Sequence, residues 1–327
     1  MQTSSSKSPG GKPIWWAVAL SESIGQVKPL AAVFDGEELV LFRDSNGQPR
    51  ALRDRCPHRR VPLSLGCVKG DKLQCGYHGW TFDGASGQCT AIPNLRGEEK
   101  VPAHYAAQAF AVAEGHGFVH VALGAWAADA SPPELPTAGY PATGPEFTGS
   151  AVANISHAEY LAVMLDGPQC LLDFSFVRMT DFFLGDAQRS GDQLVLDRGA
   201  VWQSQVLPSQ FVADYPLIVR TTVPLVGGSL RVELLTGTEL PLVTVQIASG
   251  ANRRGTTSVC WRGYVHTENL AGMPLRWRAG RAAGRDPFKL HAHIDGAAIA
   301  ALLVAPSREL AAAQGSTQKI VPIRAVA

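Results

Sequence analysis

Residues 55–93 read RCPHRRVPLSLGCVKGDKLQCGYHGWTFDGASGQCTAIP, and this stretch decides the reading of the chain. It holds Cys56-Pro-His58 and, after 16 intervening residues, Cys75-Gly-Tyr-His78-Gly-Trp80. Outward from it, short apolar runs alternate with turn residues. PLAAVF, ELVLFRD, PRALRD, KLQCGYHGWTF and GFVHVAL are separated by SNGQ, DGASG and EGHG. Asn-Gly and Asp-Gly steps between such runs are hairpin signals, so residues 15–124 are expected to form a small antiparallel β domain.

Two Cys/His pairs on facing loops supply two thiolates and two imidazoles. A Rieske-type [2Fe–2S] centre needs those donors, because two imidazoles replace two thiolates on one of its irons. Cys56 and Cys75 would hold one iron, His58 and His78 the other. Pro57, Gly76 and Gly79 would let the backbone approach the sulfides. Zinc accepts the same four ligands and stays open as an alternative. The one-residue gap between Cys56 and His58, the hairpin context and the aromatic ending of CGYHGW favour the cluster.

The same stretch strongly resembles the Rieske domain of bacterial Rieske non-haem iron oxygenases, most of all the branch of vanillate and methylxanthine demethylases. The resemblance is close over Trp15 to Gly124 and looser beyond. Respiratory Rieske proteins carry an extra cysteine in each cluster loop. Here Pro57, Gly76 and Tyr77 stand between the ligands, which favours the oxygenase type. It implies that Arg59, Arg60, Tyr77 and Trp80 shield and tune the cluster.

The resemblance also implies a second metal site, with two histidines and a carboxylate holding iron(II) and leaving positions open for O₂. The family pattern is approximately N-L-x-D-x-x-H-x-x-x-x-H, followed downstream by Asp. The matching stretch is Cys170-Leu-Leu-Asp173-Phe-Ser-Phe176-Val-Arg-Met-Thr-Asp181. Phe176 and Asp181 occupy the two histidine positions, and Cys170 an Asn position. Asp295 is the candidate downstream carboxylate, and His291 and His293 are the alternative ligands beside it. The motif is thus degenerate, and the mononuclear iron is expected to be absent. Asp173 matches the residue that bridges a neighbouring subunit's cluster to the catalytic iron, in head-to-tail trimers; in CLLDFSFVRMTDFF, read as a short helix, it would otherwise be an N-cap.

The rest of the chain is organised around these motifs. Residues 1–14 are polar, lack the apolar core of a secretory signal, and read as a flexible tail. Residues 125–145 crowd Ala, Pro and Gly and mark a linker. Residues 146–327 return to strand-like stretches such as SAVANISHAEYLAVML, QLVLDRGAVWQSQVL, LVTVQIASG and TTSVCWRGYVH, with a helical end from Asp286 through Leu303. The expected class is α+β, an all-β Rieske domain followed by an antiparallel sheet with covering helices.

Composition bounds the function. With 29 Lys plus Arg against 28 Asp plus Glu, the chain has no basic field for nucleic acid or an anionic membrane. Six cysteines in 327 residues do not look like a disulfide framework, and a reducing cytoplasm is the expected location. Hydrolase elbows, phosphate loops and nicotinamide motifs are missing. Three functions follow. The favoured one is the Rieske subunit of a multicomponent oxygenase, fed by a separate NAD(P)H-dependent reductase. It would serve a catalytic homologue, in a trimeric or hexameric ring, that hydroxylates or demethylates a small aromatic or heterocyclic substrate. The alternatives are a self-sufficient monooxygenase with an unusual iron site, and a non-catalytic scaffold or redox sensor.

Overall fold

The computed structural model describes residues 14–93, 95, 101–123, 146–203, 215–225, 229–252, 255–272 and 286–292. The chain divides into two units, residues 1–137 with 250–253 and residues 138–249 with 254–327.

The first unit contains β1 (Ile14–Leu20), β2 (Leu30–Phe34), β3 (Glu37–Arg43), β4 (Pro49–Arg53), β5 (Cys67–Lys69), β6 (Lys72–Gln74), β7 (Thr81–Asp83), β8 (Cys89–Ala91), β9 (Ala109–Phe110), β10 (Val112–Gly115) and β11 (Phe118–Leu123). They form three antiparallel sheets, in the orders β1-β11-β10, β2-β3-β4-β9 and β5-β6-β7-β8. Strand β3 shows why the unit holds together. Its Leu39 and Leu41 enter one core with Trp16, Phe34 and Val121. Its Val40 and Phe42 enter a second with Leu52, Leu63, Leu73 and Phe82. Successive strand residues face opposite ways, so a continuous apolar run buries both faces of one strand. The second core includes Cys56 and Cys75, and so runs up into the two Cys/His loops.

The second unit contains β12 (Glu146–Ala153), α1 (His157–Asp166), β13 (Leu172–Phe174), β14 (Val177–Phe183), β15 (Gln188–Ser190), β16 (Gln193–Trp202), β17 (Leu217–Pro224), β18 (Leu230–Thr236), β19 (Pro241–Ala251), β20 (Thr257–Val265) and β21 (Phe288–Leu290). Its main sheet has eight strands, ordered β12-β20-β19-β18-β17-β16-β14 with β15 beside β16, while β13 pairs with β21. One apolar core of Tyr160, Met164, Phe174, Val219, Val232 and Val245, among others, backs the sheet.

Three expectations are corrected here. The strand-like SAVANISHAEYLAVML splits into β12 and helix α1. The Ser156 hydroxyl accepts from the Glu159 amide while the Glu159 carboxylate accepts from the Ser156 amide. That capping box starts a helix whose Ala, Leu and Met residues favour it. The stretch CLLDFSFVRMTDFF is not a helix but a 3₁₀ turn at Pro168–Cys170 followed by β13 and β14. Leu172 and Phe174 are buried and Asp173 between them is exposed, the period of two that a strand imposes. Asp173 is therefore no helix cap. At the expected C-terminal helix, Phe288–Leu290 is a strand, and residues 293–303 lie outside the described residues. Among the described residues α1 is the one α-helix, so a set of covering helices is not seen.

Candidate metal centre

The loops after β4 and β6 carry the two Cys/His pairs, and their backbones are built alike. In the first, the Cys56 amide donates to the Val61 carbonyl at 2.9 Å and the Arg60 amide to the Cys56 carbonyl at 2.8 Å. In the second, the Cys75 amide donates to the Trp80 carbonyl at 2.8 Å and the Gly79 amide to the Cys75 carbonyl at 3.1 Å. Each turn closes through a left-handed residue four positions after its cysteine, Arg60 at φ 61° and Gly79 at φ 71°. One loop presents its histidine at the second position after Cys and the other at the third, yet both share one frame.

The loops also touch backbone to backbone. A Cβ added to Gly76 would lie 2.6 Å from the Leu65 carbonyl oxygen, so only glycine fits there. Asp54 anchors the first loop from behind, accepting from the Ser64 amide at 2.7 Å and the Ser64 hydroxyl at 2.6 Å.

The four donors come in two pairs. Nδ1 of His58 and Nδ1 of His78 face each other at 3.2 Å. The Cys56 and Cys75 thiols are buried and lie against each other. Burial pushes the Cys56 thiol up to about 11, and the neighbouring Cys75 adds to this against the opposing amides of His58 and Arg59. Those amides point at sulfur, as a metal-bound thiolate requires. His58 is held below its ordinary value by desolvation, then by His78 and Arg59. Among the described residues no three His, Cys, Asp or Glu side chains gather at one point. A sulfur pair beside a nitrogen pair suits the two irons of a Rieske cluster, one held by each pair.

Aromatic rings pack the site. His58 stacks on Trp80 at 4.5 Å with 3° between the rings, and Tyr77 lies 3.9 Å from His78. His78 and Tyr77 are exposed, so the imidazole edge of the site faces outward.

In the second unit the picture differs. Phe176 is half-buried in the left-handed region at φ 63° and packs against the apolar core. Asp181 falls in β14. His293 and Asp295 lie outside the described residues. Asp173 and His291, predicted as separate candidates, come together: β13 and β21 pair, and His291 Nε2 lies 2.9 Å from Asp173 Oδ2. Cys170 packs on the core beside them in sequence. His157 is bonded to Ser249, and His266 to Thr244 and Glu268, so both have structural partners.

Against known proteins, the Rieske [2Fe–2S] domain profile matches residues 14–106. The chain is 36% identical over 110 residues to the oxidoreductase NdmD of Pseudomonas putida, covering 34% of this chain and 18% of that protein. It is 40% identical over 113 residues to the putative toluene-4-sulfonate monooxygenase system iron-sulfur subunit TsaM2 of Comamonas testosteroni, covering 35% and 31%. The chain thus spans less than a third of the length of these relatives. Dicamba monooxygenase bound to dicamba has the same fold along nearly the whole chain, with a TM-score of 0.63 at 20% identity, covering 92% of this chain and 96% of that one. Residues 14–106 are a Rieske [2Fe–2S] domain, and the proteins that the chain resembles include oxygenases and components of oxygenase systems.

For a Rieske domain, the sequence reading missed two supporting residues. Tyr105 packs edge-on against Trp80 at 5.0 Å, completing a His58–Trp80–Tyr105 stack from residues far apart in sequence. Asp54, which fixes Ser64, stands just before the first loop, where an Asx side chain bonding nearby backbone was a local signal.

Proposed function

We propose that Cys56 and Cys75 hold one iron of the cluster and His58 and His78 the other, through Nδ1. When bound, such a cluster supplies a one-electron relay at modest potential. The Cys56-side amides would hold charge on sulfur, and the outward imidazoles would face the electron-transfer partner. We further propose residues 1–14 as tail, 15–124 as the Rieske domain, 125–145 as linker and 146–327 as an oxygenase-type domain.

The chain then serves as the Rieske subunit of a multicomponent oxygenase in the cytoplasm. A separate NAD(P)H-dependent reductase reduces it, and it delivers electrons to the catalytic iron of a homologous partner subunit in a ring. That partner performs O₂-dependent hydroxylation or demethylation of a small aromatic or heterocyclic molecule. One observation supports this reading: the four proposed cluster donors stand in the same chain as Phe176, which has no donor atom and packs against the core where the family pattern has histidine. The Asp173–His291 contact favours a second reading, a self-sufficient oxygenase with an unusual iron site.

Iron and acid-labile sulfide per chain, with the EPR spectrum after dithionite reduction, separate the two. About two irons and two sulfides with a Rieske signal support the subunit reading. A third, sulfide-free iron overturns it. His58→Ala or His78→Ala should abolish the signal, and its survival would refute the ligand assignment.

A further inference from the structure

The second unit holds a cavity of about 720 Å³ that the redox reading does not use. Its floor is two rows of side chains across β16, β17 and β18. Val195, Thr222 and Arg231 stand opposite one another in register, as do Asp197, Arg220 and Glu233. Directly opposed residues in an antiparallel sheet point to one face. Leu196, Val219 and Val232, next to them along the strands, face the apolar core on the other side. The segment from Leu184 to Ser190 forms the rim.

The two rows differ in how far their polar groups are satisfied. Arg220 donates to both Asp197 oxygens at 2.8 and 2.7 Å and to Glu239 at 3.1 Å, and these bonds raise its pKa. That row is closed. Thr222 is 3% exposed, and its hydroxyl has no hydrogen-bond partner among the described residues. The buried Arg231 Nε stands 3.2 Å from the Glu233 carboxylate without the alignment of a hydrogen bond. An unbonded hydroxyl is thus built into the floor of the cavity beside a partly exposed guanidinium that Glu233 holds at Nε. A charged sheet face is ordinarily just wet. Here the unbonded Thr222 hydroxyl and the Arg231 guanidinium stand together, with Leu184 and Val195 as the apolar part of a lining that also holds Asp186 and Arg189.

A planar guanidinium next to a hydroxyl matches a carboxylate, which it can receive through two parallel bonds. The apolar part of the lining and a volume within the roughly 300–1,000 Å³ of small-molecule sites suit an organic acid better than a bare inorganic ion. We propose that this cavity binds a small organic carboxylate, received by Arg231 and Thr222. The proposal is independent of the cluster and of the electron-transfer reading.

Calorimetric titration of the full-length holoprotein with benzoate, and separately with inorganic phosphate, tests it. The cluster spectrum and thermal unfolding serve as the check on folding. Saturable benzoate binding is expected, tighter than that of phosphate. Arg231→Gln should weaken it about tenfold or more, the scale of a lost charge-assisted pair. Arg231→Lys should restore part of it, and Thr222→Val should weaken it severalfold. Should the arginine variants not fold, the near-isosteric Thr222→Val carries the test alone. Absence of saturable benzoate binding overturns the proposal, as do phosphate binding as tight as that of benzoate and benzoate binding indifferent to these substitutions.

Discussion

Asp173 and His291 are 118 residues apart in sequence and joined at 2.9 Å through the pairing of two three-residue strands. They occupy diagonal positions of that ladder, and the His291 amide extends it by donating to the Leu171 carbonyl at 2.7 Å. With Asp173 60% exposed and His291 29%, the pair is an exposed ion pair or hydrogen bond. Such contacts contribute about 0–1 kcal/mol. His291→Ala is therefore expected to leave iron per chain unchanged and to lower stability by no more than about 1 kcal/mol. Metal analysis and denaturant unfolding check both. Loss of iron would make His291 a ligand and revive the self-sufficient oxygenase.

Close approach of the two cluster loops yields a sharper prediction. A methyl at Gly76 would collide with the Leu65 carbonyl, whereas one at Gly70 would meet nothing within 4 Å. Neither glycine is a ligand, but only Gly76 sets the loop spacing. Gly70→Ala should cost about 1 kcal/mol, from its left-handed φ alone, and retain the cluster. Gly76→Ala should lose most of its sulfide and Rieske absorption. Equal sulfide content in the two variants would mean that the loops do not depend on this contact.

The Rieske domain was legible in the sequence, and for a physical reason. Its four proposed ligands lie within 23 residues, Cys56 to His78, so local spacing carries the motif. The hairpins around them follow from turn residues that need a left-handed backbone. The second unit was less legible because its decisive contacts are long-range. Asp173 and Phe174 lie in a strand only because β21 supplies the partner ladder, and a short apolar run cannot by itself be told from a helix. Helix α1 was legible and overlooked: Ser156 and Glu159 spell a capping box ahead of an apolar run. Tyr105 was hidden, since nothing local ties it to Trp80.

Two desolvated histidines predict how stability responds to acid. His120 in β11 is 8% exposed, and burial, reinforced by the charge of His116, lowers it from 6.5 to about 4. In α1, His157 is lowered to about 4 by burial. Below pH 6.5 the unfolded chain takes up protons at these positions that the folded chain refuses. Their contribution is fully present above pH 6.5 and is lost as pH falls toward 4, at up to about 1.4 kcal/mol per pH unit for each. His120→Leu should flatten the stability profile across that window by about one proton's worth of slope. An unchanged slope in denaturant titrations at pH 6.5, 5.5 and 4.5 would show that His120 charges freely in the fold.

Phe176 offers a direct test of how deep the loss at the second site goes. Its φ of 63° is strained for a phenylalanine but is a conformation in which histidine is enriched. Phe176→His therefore suits the backbone, while it removes a ring packed on the core, at a cost of about 1–3 kcal/mol. Paired with Asp181→His, it restores both histidines of the family pattern. If only the ligands have changed, the double variant should gain a third, sulfide-free iron when purified with added iron(II), with the two cluster irons unaffected. Failure to gain it, with the Rieske spectrum intact, would mean that the surroundings of Phe176 have been remodelled around an aromatic ring and no longer leave room for a metal. That outcome would strengthen the assignment of this chain to electron delivery, because the donor-free position would then be built into the packing of the second unit.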